Sequence, residues 1–305
     1  MADRPNRRRT KALREQISRF LSQSRRIPFF PVRILEAVRK NEWEAFLFGG
    51  VPRNIWLHGG RSEFRDFDLV FSDASFEAFT RLFEKCIVKR NRFGGIKLRI
   101  QSFEVDAWPL SMTWAFSQGF VGDASFANLP KTTPLNVDSI VVELAPRPGR
   151  PRRTYENGFF SAFRTRSLDV VLEANPFPEL NAVRALKIAN QMALGLKRRL
   201  VVVISDVLSR VANSELEEVQ LQHYKKVVLD STKLQEIREK IFAAIDDQKI
   251  DKVVVTSSAN FQPEFNFGDS SSQNAFSTDL NESLFATLAS QGCWSGSQDP
   301  EEEDT

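Results

Sequence analysis

Two carboxylates one residue apart, Asp66 and Asp68, lead into the apolar run Leu69-Val70-Phe71. Side chains alternate along a strand, so in an extended segment both acids lie on one face, with Cα atoms roughly 6.5–7 Å apart. Like charges placed this way repel each other unless a cation stands between them. Mg²⁺ meets that need, because it is a hard ion that takes a few carboxylate oxygens and completes its shell with water and substrate phosphates. Upstream, the apolar run Phe46-Leu47-Phe48 ends in Gly49-Gly50, and Arg53 follows. Lacking Cβ, the glycines let the backbone approach a ligand and expose N–H groups to it. A helix starting near Pro52 would aim its positive end at a phosphate, and Arg53 adds a forked, permanently charged donor. The pattern predicts strand, glycine turn, helix and second strand, with a site for metal and phosphate between them.

A third carboxylate can come from a neighbouring strand. Ile96-Lys97-Leu98-Arg99-Ile100 alternates apolar and polar, and after Gln101-Ser102 the rhythm resumes as Phe103-Glu104-Val105-Asp106-Ala107-Trp108. Alternating runs split by two residues predict a hairpin, although Gln-Ser is not its best turn chemistry. Glu104 and Asp106 share a face, and either can complete the metal site. The chemistry that calls for such acids is attack of a hydroxyl on an α-phosphate, which builds negative charge on the attacking and leaving oxygens. Two ions about 3.5–4 Å apart, sharing carboxylates, stabilise both ends. Arg53, Arg65, Lys97 and Lys131 are the nearest cations to hold the β- and γ-phosphates.

Gly49, Gly50, Arg53, Asp66 and Asp68 resemble the GGxxRD…DxD pattern of the tRNA nucleotidyltransferase and bacterial poly(A) polymerase family, within the polymerase-β-like nucleotidyltransferase superfamily. Asn54 stands where the family has Asp, and the resemblance covers about residues 30–200. Arg184-Ala185-Leu186-Lys187-Ile188-Ala189 is similar to a later element, RALRFA. Two departures are plain. Lys131–Ser139 takes the place of RRDFTINA without either arginine, and Phe177, Pro178 and Asn181 replace the Glu, Asp and Arg that read the base.

The resemblance implies an α+β fold: a nucleotidyltransferase head with a mixed sheet flanked by helices. It implies two Mg²⁺ ions on Asp66, Asp68 and Asp106, with Glu104 the alternative third carboxylate, and a nucleoside triphosphate substrate, ATP or CTP, held by Gly49, Gly50, Arg53, Lys97 and Lys131. The implied activity is transfer of nucleotides to an RNA 3′ end, with tRNA the leading acceptor. The long RNA-gripping body of the family is absent or much shortened. A defence- or toxin-type enzyme modifying tRNA, a protein hydroxyl or a nucleotide is therefore the alternative. A degenerate binding module is a further one.

Helices are expected over 10–24, 31–41, about 75–88, from Leu180 to about Val211, and over about 214–229 and 231–247, with a strand over 139–144 and either a strand or a helix over 167–173. The expected domains are a basic arm or helix (1–28), the head (29–176), a short all-helical domain (177–256) and a disordered tail (257–305). The tail holds nine acidic residues and no Lys or Arg; taking those charges from the chain's net +3 leaves +12 on residues 1–256. That favours a polyanionic partner such as RNA. The basic N-terminal segment either neutralises phosphates or docks as an amphipathic helix through Leu13, Ile17, Phe20 and Leu21, or does both. The acidic tail, with its phenylalanines, is a candidate for a protein partner. No apolar run reaches 18 residues, so no membrane contact is expected. Cys86 and Cys293, with only His58 and His223, suggest neither a disulfide framework nor a zinc site, and a reducing cytoplasm is the expected location.

Overall fold

The computed structural model describes residues 4–23, 30–59, 64, 66–247 and 252–255, all within a compact unit that ends at Asn266. Arg65 and the tail over 257–305 lie outside the described residues. Two helices, α1 (Arg4–Gln23) and α2 (Val32–Lys40), precede the first hairpin-like unit: β1 (Ala45–Phe48), α3 (Gly50–His58) and β2 (Asp66–Phe71). Then come α4 (Asp73–Leu82), β3 (Ile87–Arg90), β4 (Ile96–Ile100), β5 (Phe103–Pro109), α5 (Trp114–Ser117), β6 (Ile140–Glu143) and β7 (Thr154–Glu156). The seven strands form one sheet in the order β3-β4-β5-β2-β1-β6-β7. Only β2 and β5 run parallel; the other pairs are antiparallel, so the mixed sheet expected of the head is present.

Alternation decides what each sheet face does. Phe67, Leu69, Val105, Ala107, Leu98 and Val142 point into the main core together with Leu13, Ile17, Ile34, Leu35 and Ile55 from the helices. The amphipathic reading of α1 holds, since Leu13, Ile17, Phe20 and Leu21 are all buried. The opposite parity has two fates. Phe46, Val70 and Val141 are covered by Leu110, Phe126 and Leu129 from the segment between β5 and β6. The same rows continue into exposed Asp66 and part-buried Asp68, Glu104 and Asp106. Burying apolar area on one face leaves the acids no choice but the other.

The C-terminal part is largely helical, as expected: α6 (Phe159–Arg164), β8 (Ser167–Leu168), α7 (Pro178–Met192), β9 (Gly195–Lys197), α8 (Arg198–Arg210), α9 (Asn213–Tyr224), α10 (Ser231–Asp246) and β10 (Lys252–Val253). It departs from expectation at residues 193–197. The continuous helix from Leu180 to Val211 is broken there, because Ala193 turns left-handed (φ 48°) and β9 is drawn into a three-stranded sheet between β10 and β8. That sheet puts two short strands into a region expected to be all helical, and it makes Ser167–Leu168 a strand. Helix 75–88 also ends early. Ile87 joins the sheet edge through Leu98, so the chain leaves α4 at Leu82 and passes through a 3-10 turn at Glu84–Cys86.

Candidate active site

The parallel pairing of β2 with β5 sets Asp66 opposite Glu104 and Asp68 opposite Asp106. Lys97 and Arg99 of β4 stand beside Asp106 and Glu104 in turn. Four acids and two cations therefore share one patch of sheet. Lys97 Nζ is 3.0 Å from Asp106 Oδ2 and 3.1 Å from Glu104 Oε2, and Arg99 Nη2 is 3.3 Å from Glu104 Oε1. Among the described residues, neither Asp66 nor Asp68 has a cation at ion-pair distance. Burial and Asp106 push the Asp68 carboxyl up to about 7, with Arg184 pulling the other way and Asp138 and Asp66 adding to the rise. Burial also raises Asp106, against the pull of Lys97.

The glycine elbow lies at the neighbouring strand end. Gly49 has φ 59° and ψ −107°, a backbone shape that side chains with Cβ avoid. Its N–H donates to the Ile140 carbonyl at 3.1 Å, so this amide ties α3 to β6 and is not on offer to a ligand. The first-turn amides of Gly50 and Val51 have no intrahelical acceptor. One turn on, Arg53 pairs through Nη1 with Oδ1 of Asp138, which sits in a 3-10 turn (Asn136–Asp138) before β6. Arg184 of α7 reaches the other oxygen, Oδ2, at 2.8 Å. Asp138 is only 6% exposed and Arg53 14%. Burial drives the Asp138 carboxyl upward, but Arg53 and Arg184 outweigh it and hold it below its usual value.

Two further groups extend this basic corner. Lys187, one turn beyond Arg184, places Nζ 3.8 Å from the centre of the Tyr224 ring, a cation–π contact. Burial lowers its pKa, helped by Arg184, Lys226 and Arg53. Asp138, Lys187 and Tyr224 received no site role from the sequence. Asp138 carried a signal nonetheless: an acid set among Leu135, Val137, Ile140 and Val141 must bury its charge beside a cation.

Of the expected phosphate-binding residues, Gly49, Gly50 and Arg53 lie at the elbow, whereas Lys97 is bound to acids. Lys131 donates to Asn128 Oδ1 at 3.0 Å, on a 3-10 turn (Leu129–Thr132) that packs against β6 and β7. Thr132 and Thr133 spend their hydroxyls locally: part-buried Thr132 Oγ1 donates to the Leu129 carbonyl, and buried Thr133 Oγ1 to that of Pro130.

Asp66 and Asp68 supply hard oxygens from alternate positions of one strand, and among the described residues neither is held in an ion pair. These two fit an ion whose shell is completed by water and phosphate. Asp106 is already engaged by Lys97, and among the described residues no three His, Cys, Asp or Glu side chains converge as a ready-made metal cluster.

No protein-family model and no curated protein matches the chain. Solved structures are similar to it in part. A tRNA-processing enzyme with CTP is 15% identical at a TM-score of 0.47, over 69% of this chain and 57% of that one. A CCA-adding enzyme with CTP is 13% identical at 0.49, over 69% and 51%. A tRNA nucleotidyltransferase complexed with a primer tRNA and an incoming ATP analog is 15% identical at 0.44, over 72% of each chain. The chain thus spans little more than half the length of the first two.

Proposed function

We propose that this chain transfers a nucleotidyl group from a nucleoside triphosphate, ATP or CTP, to the 3′ hydroxyl of an RNA, with tRNA the first acceptor to try. The observation that carries the reading is the β2–β5 register. It lines Asp66, Asp68, Glu104 and Asp106 on the open face of the sheet. Beside them stands the glycine elbow, whose Arg53 shares Asp138 with Arg184. Residues 29–176 would form the nucleotide-handling head and 177–256 a short helical domain. The charge of +12 on residues 1–256 supports a polyanionic acceptor.

Asp66 and Asp68 would hold Mg²⁺, which when bound offsets the negative charge that grows on the phosphate oxygens. The protein's own groups do the rest. Asp106 takes the proton of the attacking hydroxyl at Oδ1, because Oδ2 is held by Lys97. The new bond joins that oxygen to the α-phosphorus, the α–β bridging bond breaks, and diphosphate leaves with the electron pair. Arg53, Arg184 and Lys187 meet the charge of the departing group.

The test is incubation of the full chain with labelled ATP or CTP, with and without total RNA. Label is expected in RNA. Asp68→Ala should abolish transfer while the circular dichroism spectrum stays as in the wild type; undiminished transfer would end the assignment. Label moving instead to protein or to free nucleotide would support the defence- or toxin-type alternative.

A further inference from the structure

Lys97 is fixed in place more firmly than a surface lysine. It occupies the middle of the β4–β5 ladder opposite Asp106, and its strand neighbours Ile96 and Leu98 are buried in the core, so its side chain must project from the carboxylate face. There its ammonium bridges two acids, Asp106 Oδ2 at 3.0 Å and Glu104 Oε2 at 3.1 Å. A lysine ammonium is a compact charge with three donors. Two are spent on these carboxylates and the third remains for a ligand. The same geometry divides the acids into two classes: Asp106 and Glu104 already have a cation, whereas Asp66 and Asp68 have none among the described residues.

Resting on the nucleotidyl-transfer reading above, we propose that Lys97 is a built-in cation that takes the place of the second metal ion, so that the site binds one divalent ion, at Asp66 and Asp68. A second ion would need Asp106 as a ligand, and Asp106 has one oxygen held by Lys97 and the other turned to the attacking hydroxyl. The lysine does part of what that ion would do. It lies beside the base that receives the proton, orients it, and keeps a positive charge near the attacking oxygen. It differs in that it is covalently present and needs no metal concentration to fill it. Lys97 thus positions Asp106 and does not itself bind the β- and γ-phosphates.

The experiment counts ions and does not depend on turnover. Full-length protein would be titrated with Mn²⁺ at saturating levels of a triphosphate analogue that resists cleavage between the α- and β-phosphates, with bound Mn²⁺ followed by electron paramagnetic resonance. One ion per chain, with an uncoupled spectrum, is the expected result. Lys97→Met should raise the count to two and introduce the spin coupling of ions about 3.5–4 Å apart, whereas Lys97→Arg should keep one. Two ions on the wild type would overturn the proposal and leave the transferase reading standing, and this arm holds even if Lys97→Met does not fold. A count that stays at one in folded Lys97→Met would also overturn it. Binding no stronger in the wild type than in Asp66→Asn/Asp68→Asn would remove the metal site and the parent reading together.

Discussion

Replacing Asp138 with asparagine would preserve its shape and remove its charge, leaving Arg53, only 14% exposed, without a counter-ion. Breaking one side of a buried pair costs about 3 kcal/mol, so Asp138→Asn should lower the unfolding free energy by about that amount in a denaturant titration. Arg184 is half-exposed and can recruit water, so it adds little to that loss. Function should respond as well. Two arginines no longer fixed on one carboxylate bind triphosphate less well, and KM for the nucleotide should rise more than kcat falls. Asp138 also predicts a pH effect. Its carboxyl is held below its usual value in the folded chain, so its stabilising contribution is complete above the unfolded pKa of about 3.9 and is lost as pH falls below it. The Asp138→Asn protein should therefore lose stability less steeply between about pH 4 and pH 2 than the wild type, in denaturation curves taken across that range. The sequence alone marked Asp138 as a polar position in an apolar stretch. It could not mark Arg184, 46 residues further on, as the partner, because nothing local ties a helix in the second half of the chain to a turn before β6.

At the scale of elements, the elbow between β1 and α3 depends on the backbone of Gly49. A Cβ added there would meet only ordinary contacts, Asp138 O at 3.8 Å and Asp138 Cβ at 3.9 Å. Space is therefore not the constraint; φ 59° with ψ −107° is. Gly49→Ala should cost about 1–3 kcal/mol in backbone strain, read as a lower unfolding midpoint, and the displaced α3 should slow transfer. An unchanged midpoint would mean the elbow relaxes without effort. This unit and the β4–β5 hairpin were legible because their alternation and glycine turns are local. The hairpin even forms around the poor turn pair Gln101-Ser102, with Gln101 at φ 56°. The break at 193–197 was not legible. Leu194 and Leu196 fit a buried helix stripe as well as a strand, and what decides is pairing with Lys252–Val253, more than 50 residues away in sequence. Strand β3 was missed for a related reason, since Ile87 continues the helical pattern of α4 and only its edge partner Leu98 makes it a strand.

Across the whole molecule, charge is sorted by position. Helix α1 buries Leu13, Ile17, Phe20 and Leu21 in the core and turns Arg7, Arg8, Lys11 and Arg19 to the outside. Its basic face borders a groove of about 860 Å³, closed on the far side by Arg150, Pro151 and Arg152 of the loop before β7. Docking of the helix and a role in phosphate binding are thus compatible, since they use opposite faces. If RNA is the acceptor, cations spread over this surface should give affinity that falls steeply with salt, because each neutralised phosphate of a single strand contributes a slope of about 0.7 in log K against log salt. Neutralising Lys11, Arg19 and Arg150 together should then reduce the slope by about 2 if each meets one phosphate, measured by filter binding of tRNA across a salt series. None of the three touches the carboxylate face, so transfer to a very short primer should persist. An unchanged slope would mean RNA approaches from elsewhere, and would turn attention to Arg99 beside Glu104 and to Lys187 and Lys226 near Arg184.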